Sequence, residues 1–128
     1  MTVDLWMLAA SVALTWGLIM FAATPPLLKD IKWAVGNRSD SIEVAPWAER
    51  ANRCAQNMKE NLPLFATLVL IAQVAETAND TSALGAQIFV AARLAHAVIY
   101  VLGIPGLRTL AWATSIGGMA LVASSFLG

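Results

Sequence analysis

Long uncharged runs alternate with short polar ones along the whole chain. Leu5 to Ala23 holds no charged residue and is long enough to cross a hydrocarbon core of about 30 Å as a helix. Leu62 to Ala75 is shorter, but it continues a helix that can begin near Pro46, whose preset φ and missing N–H suit a first helical turn. Ser82 to Ile104 is interrupted only by Gln87, Arg93 and His96. Pro105 and Gly106 then predict a turn, and Leu107 to Leu127 is a fourth apolar stretch with Arg108 at its entrance. The pattern predicts one domain over residues 1–128: an all-α membrane protein, an up-down-up-down bundle of four transmembrane helices.

Composition sharpens this picture. The chain is 59% hydrophobic and 12% charged, where soluble proteins are roughly half apolar and a quarter charged. Eight basic and eight acidic residues give zero formal net charge, so nothing suggests a nucleic-acid surface. The single cysteine, Cys54, excludes an internal disulfide and a cysteine-based zinc site, and no metal site is expected. Asp4 precedes the first apolar run and no lysine or arginine does, so that run reads as a retained helix rather than a cleaved leader.

Charge between the runs sets an expected orientation. The first connection carries Lys29, Lys32, Arg38, Arg50 and Arg53, the short third one has Arg108, and the second has only Glu76 and Asp80. By the positive-inside rule the first and third connections are cytoplasmic and both termini lie on the opposite side.

Several polar residues interrupt the apolar pattern at helical spacing. Arg50, Arg53, Asn57 and Glu60 are spaced three, four and three, which puts them within about 80° of one another on a helix circumference. Arg93, His96 and Tyr100 repeat the device with spacings of three and four. Arg93 sits about 15 Å, at the helical rise, from the cytoplasmic end, where facing lipid costs several kcal/mol. It is therefore expected to turn inward and pair with Glu60, with His96 as a third member; register-setting is the plain use of such a pair. Arg50, Arg53 and Asn57 lie nearer the membrane surface, and two readings stay open for them: snorkelling to lipid phosphates, or holding an anionic ligand.

Other polar and small residues have plain readings. Cys54 reads as a small packing residue, and His96 alone as a hydrogen-bonded core residue. Trp6, Trp16, Trp33, Trp47 and Trp112 include interfacial anchors, and Gly117-Gly118 reads as a close-packing site. Glu49 and Arg53 form a candidate solvated i,i+4 pair.

Two of these motifs carry a family resemblance. "ERANRCAQNMKENLPLF" resembles the second-helix signature of the membrane-associated proteins in eicosanoid and glutathione metabolism, with Arg53, Asn57, Glu60 and Pro63 matching in order. The upstream Glu49-Arg50 is similar to the leukotriene-forming branch, which has a tyrosine where this chain has Asn61. "RLAHAVIYVLGIPGLR" resembles the prostaglandin E synthase branch through Arg93, His96, Tyr100 and Arg108, and "GNRSD" resembles the short bacterial members.

The resemblance implies a homotrimer in a bacterial inner membrane, with glutathione as co-substrate held between adjacent subunits near the cytoplasmic ends. It implies a binding set of Arg50, Arg53, Asn57, Glu60, Arg93 and His96, with Tyr100 and Arg108 as the catalytic pair. The chemistry is consistent: glutathione's two carboxylates suit arginine forks, and its α-amine suits a carboxylate such as Glu60. Its thiol needs a neighbouring positive or donor group to ionise, and Lys29, Lys32, Arg38, Tyr100 and Arg108 all compete for that role.

Three functions compete at this point. The first is a glutathione transferase or peroxidase acting on lipophilic electrophiles from the bilayer, the partners then being lipids and lipophilic small molecules. The second is a non-catalytic lipid-binding or scaffold member of the same family. A small exporter is the third and is disfavoured, because a proton-coupled exporter needs an acid within its first span and Leu5 to Ala23 has none.

Overall fold

The computed structural model describes residues 1–128 and contains helices and no strand. The elements are α1 (Val3–Lys29), α2 (Ile31–Val35), α3 (Pro46–Val74), α4 (Asp80–Leu102), α5 (Pro105–Ser124) and a closing 3-10 turn at Ser125–Leu127. Three of them, α1, α4 and the α5 segment running on to Leu127, are long and apolar enough to cross a membrane. The 29-residue α3 has the length, but its polar first half keeps it out of that group. Four transmembrane helices were expected; the chain has four long helices, of which three qualify as membrane spans on apolarity.

Local chemistry explains the boundaries. Thr2 caps α1 by accepting from the Leu5 N–H. Asp30 ends α1 and caps α2 through the Trp33 N–H at 3.0 Å. Pro46 and Pro105 each open a helix, at the position where an absent N–H costs nothing. Asn79 and Ser82 form a reciprocal capping box on α4. The turn between α4 and α5 falls at Gly103-Ile104, two residues before the expected Pro105-Gly106, because Gly103 takes the left-handed conformation (φ 79°) that closes α4. The first helix runs six residues beyond Ala23, through Pro25 and Pro26; those prolines cannot donate to the Phe21 and Ala22 carbonyls, yet the helix continues.

Consecutive long helices run antiparallel. Asp4 of α1 meets Gln73 of α3, while Ala22 clusters with Ala51 and Ala55. Phe65 of α3 stacks on Phe89 of α4 with centroids 3.9 Å apart. That stack is the centre of a core completed by Met58, Val69, Ala86, Met119 and Val122. The closest approach is between α4 and α5, where a Cβ on Gly85 would stand 2.6 Å from the Gly118 carbonyl, and one on Gly118 the same distance from the Gly85 carbonyl. Gly118 is thus the packing residue of the expected pair, and Gly117 faces open space.

At one end of the bundle lies a tie not anticipated from sequence. Asp4 is 2% exposed, and its Oδ2 accepts from the Ser82 hydroxyl at 2.8 Å and from Gln73 Nε2 at 3.3 Å. A carboxylate in the first turn of α1 so links the start of α1 to the end of α3 and the start of α4. The polar residues of the candidate site all lie towards the other end.

Candidate functional site

α3 divides the candidate residues between two cavities. At about 100° per residue, Asn57 lies about 40° to one side of Arg53 and Gln56 about 60° to the other. Asn57 faces a small polar cavity of about 220 Å³, lined also by His96, Tyr100, Arg108, Thr109 and Trp112. Gln56 faces a larger one of about 790 Å³ between α1, α2, the following connection and α3. Arg53 reaches this second cavity and makes an ion pair of 3.9 Å with Glu49. Glu60 is exposed and has no ion-pair partner.

The small cavity is built from three helices. α3 supplies Asn57, α4 supplies His96 and Tyr100 one turn apart, and α5 supplies Arg108, Thr109 and Trp112 from its first two turns. The Tyr100 ring packs edge-on to His96 at 5.3 Å and carries the Arg108 guanidinium 4.7 Å above its centroid. That cation–π contact holds a positive charge beside the phenol, and the early turn at Gly103 brings α5 back close enough to make it.

Arg93 stands behind this cavity, 1% exposed. Its Nη2 donates to Asn57 Oδ1 at 2.7 Å, and its Nε and Nη1 have no partner. The expected Glu60–Arg93 pair is therefore not made: Arg93 turns inward as its desolvation cost requires, but it meets the amide one turn before Glu60. Asn61 completes the arrangement. It is buried, and its Nδ2 donates to the Asn57 carbonyl at 2.8 Å and lies 3.5 Å from Asn57 Oδ1. Arg93 thus holds the Asn57 side chain, while Asn61, at the position that departs from the tyrosine of the leukotriene-forming branch, bonds the Asn57 backbone one turn back. An i,i+4 spacing of asparagines was the available signal for it.

The remaining candidates separate clearly. Arg50 lines neither cavity; its Nε donates to the Val101 carbonyl at 3.0 Å. A guanidinium there answers one of the open carbonyls at the C-terminus of α4, and it lies against Gly103, where an added Cβ would meet it at 3.2 Å. His96 is not a third member of an ion pair: it is buried with Nδ1 3.9 Å from the Cys54 sulfur and its ring on Tyr100. Among the competing thiol activators, Tyr100 and Arg108 share the small cavity, Arg38 lines the large one, and Lys29 donates to the Glu43 carbonyl. Thr109, not singled out from the sequence, and Trp112, read there only among the interfacial anchors, join the lining of the small cavity.

A model of the MAPEG family matches residues 5–127, spanning all five helices. The chain belongs to the MAPEG family. Comparison with curated proteins and with solved structures returned no match. As a MAPEG member with three long apolar helices, the protein is an integral membrane protein of a family concerned with glutathione and eicosanoid metabolism, which includes glutathione transferases and related enzymes. Both MAPEG-like motifs lie where the two cavities are built: the first along α3, the second from α4 across the turn into α5.

Proposed function

We propose that the protein is a glutathione-dependent transferase or peroxidase acting on lipophilic electrophiles at the cytoplasmic edge of a bacterial inner membrane. The observation that carries this reading is the gathering of Asn57, His96, Tyr100, Arg108 and Thr109 around one polar cavity. That cavity lies at the end of the bundle bearing the cation-rich connection. On the positive-inside rule this end is cytoplasmic and both termini lie opposite, with α3 as the fourth crossing.

The residues suit glutathione in kind. Arg108 offers a fork for a carboxylate or a positive field for a thiolate, and the Tyr100 and Thr109 hydroxyls and the Asn57 amide are hydrogen-bonding groups. At about 220 Å³ the cavity is smaller than the range of about 300–1,000 Å³ usual for ligand pockets. One chain therefore supplies part of a site. Arg53 and Glu60 stand exposed on the ridge of α3 beside it, and an exposed acid at that depth is costly in lipid. A homotrimer that covers this ridge with a neighbouring copy both removes the cost and enlarges the site.

When bound, glutathione supplies the thiol that attacks the electrophile. The chain's own contribution is positional and electrostatic. The Tyr100 hydroxyl donates towards sulfur while Arg108, fixed on the Tyr100 ring, stabilises negative charge there. Asn57, held by Arg93, presents an oriented amide, and the apolar half of α3 keeps the cavity at the membrane edge. Isothermal titration of the purified protein with glutathione, alongside conjugation to a simple aromatic halide, tests the reading. Binding that weakens by about 1.5–3 kcal/mol in Arg108→Ala supports it, and no binding by the wild type overturns it.

A further inference from the structure

Arg50 lines neither cavity, yet it touches the turn on which the small one depends. That turn, between α4 and α5, leaves carbonyls at the end of α4 to be satisfied. The N–H groups of Gly103 and Ile104 answer Ile99 and Tyr100, but no backbone N–H reaches the Val101 carbonyl. In a continued helix its donor would be residue 105, and Pro105 has no N–H. Arg50 of α3 supplies the missing donor through its Nε, at 3.0 Å. A guanidinium there also suits the negative end of the α4 dipole.

The same side chain lies against Gly103. A Cβ on that residue would stand 3.2 Å from both Nε and Cζ of Arg50. Glycine therefore serves twice, by admitting the guanidinium and by taking φ 79°. This left-handed residue sets the direction in which the chain leaves α4. Ile104 follows it and accepts from the Arg108 N–H at 3.1 Å, which starts α5. The Arg108 guanidinium then comes to lie 4.7 Å from the centroid of the Tyr100 ring, and Tyr100 directly precedes Val101. The two partners of this cation–π contact thus stand on either side of a turn that Arg50 ties to α3. The Val101 side chain strengthens the tie by packing on the cluster of Ala22, Ala51 and Ala55.

We propose that Arg50 is a positioning residue of the small cavity: by bonding Val101 and bracing Gly103 it holds Arg108 on the Tyr100 ring. The consequence for chemistry rests on the glutathione reading above. With the turn loosened, Arg108 leaves the phenol, and the positive field that stabilises a thiolate leaves with it. Arg50 acts on the reaction in this way without touching glutathione.

Tyr100 is the only tyrosine of the chain, so ring-labelled tyrosine gives NMR signals from this ring alone. The full-length protein is measured in detergent micelles, without glutathione. Arg108→Ala should move the ring signal, because the guanidinium leaves its face. Arg50→Met and Arg50→Ala, which carry no donor, should each move it in the same direction. Neither should move it further in the Arg108→Ala background. Arg50→Gln should keep the wild-type signal, since its Nε2 donor is as many bonds from the backbone as the arginine Nε. With glutathione present, Arg50→Met should lower the ultraviolet thiolate absorbance of the bound tripeptide and slow conjugation by about tenfold or more. Arg50→Gln should restore both. A role confined to stability lowers the unfolding temperature and leaves the ring signal of the folded protein unchanged. That result, or a shift that adds to that of Arg108→Ala, overturns the proposal. Absence of glutathione binding by the wild type overturns the functional reading alone, and the tyrosine signal then decides the role of Arg50 by itself.

Discussion

Arg93 offers the sharpest test of how the structure tolerates a buried charge. It is 1% exposed, with one hydrogen bond, to Asn57 at 2.7 Å, and two nitrogens without a partner. Interhelical hydrogen bonds inside membranes average about 0.6 kcal/mol, because the separated helices find other partners. This bond should exceed that, since its donor is charged and the chain offers Arg93 no substitute; bonds to charged groups contribute about 1.5–3 kcal/mol. Asn57→Ala is therefore expected to destabilise by about 1.5–3 kcal/mol. Arg93→Met removes the charge together with its unpartnered nitrogens, and exchanging a buried ion for an apolar side chain of similar volume is often neutral or stabilising. Asn57 keeps Asn61 as a neighbour in that variant, so its cost should be lower than that of Asn57→Ala. In the Arg93→Met background Asn57→Ala should then cost less than about 0.5 kcal/mol, a coupling of about 1 kcal/mol or more. Glu60→Gln, at an exposed position with no ion pair, should change stability by less than about 0.5 kcal/mol and add linearly to Arg93→Met. Unfolding of the micelle-embedded protein by a titrated denaturing detergent, followed by circular dichroism, supplies all the terms. Additivity between positions 57 and 93, or coupling between 60 and 93, would refute the assignment of Asn57 as the partner.

Four further outcomes are expected. Gly118→Ala should destabilise by about 1–3 kcal/mol through overpacking, because its Cβ would lie 2.6 Å from the Gly85 carbonyl, whereas Gly117→Ala meets nothing within 4 Å and should be neutral or stabilising by up to about 1 kcal/mol; thermal unfolding of both variants checks the contrast. Asp4→Ala removes the acceptor shared by Ser82 and Gln73 at the far end of the bundle, and since the Ser82 hydroxyl keeps Asn79 as a partner it should lower stability by about 0.5–1.5 kcal/mol while glutathione affinity stays unchanged. Tyr100→Phe should reduce conjugation turnover with little change in glutathione binding, and equal loss of both would remove the hydroxyl from its assigned role; native mass spectrometry in mild detergent should meanwhile find a trimer, a stable monomer telling against a shared site.

Most of the helix layout was legible because lipid enforces it. A backbone in hydrocarbon must satisfy its own hydrogen bonds, so the apolar runs, with Pro46 as a helix start, locate α1, α3, α4 and α5 to within a few residues apart from the end of α1, which runs six residues further. Composition was less informative about α3, whose polar half lowers its apolarity while its length of 29 residues is ample. The turn before α5 was misplaced because Pro105-Gly106 is a strong turn signal, yet Pro105 serves equally well as the first residue of a helix and Gly103 as the last residue's cap. Asp4 was read only as a flanking charge. Its tie to Ser82 and Gln73 joins residues 78 and 69 positions away, a separation over which no periodicity speaks.

The candidate site was legible as a helix face but not as a cavity, and the reason is angular. Spacings of three and four collect residues within about 80° of arc, and on α3 that arc straddles the boundary between two cavities. Arg50, Asn57 and Asn61 fall on the side of α4; Glu49, Asn52 and Gln56 fall on the side of α1; Arg53 and Glu60 form the ridge between. The same limit undid the Glu60–Arg93 expectation. Matching two charges by depth ignores that a residue about 60° further round the helix, Asn57, meets α4 first. On α4 the three residues of the shorter motif do share a side: Arg93, His96 and Tyr100 turn towards α3 and α5, where Asn57, Cys54 and Arg108 receive them in turn. A polar stripe therefore identifies which helix carries the chemistry, whereas the neighbours packed on either flank decide which of its residues share a ligand.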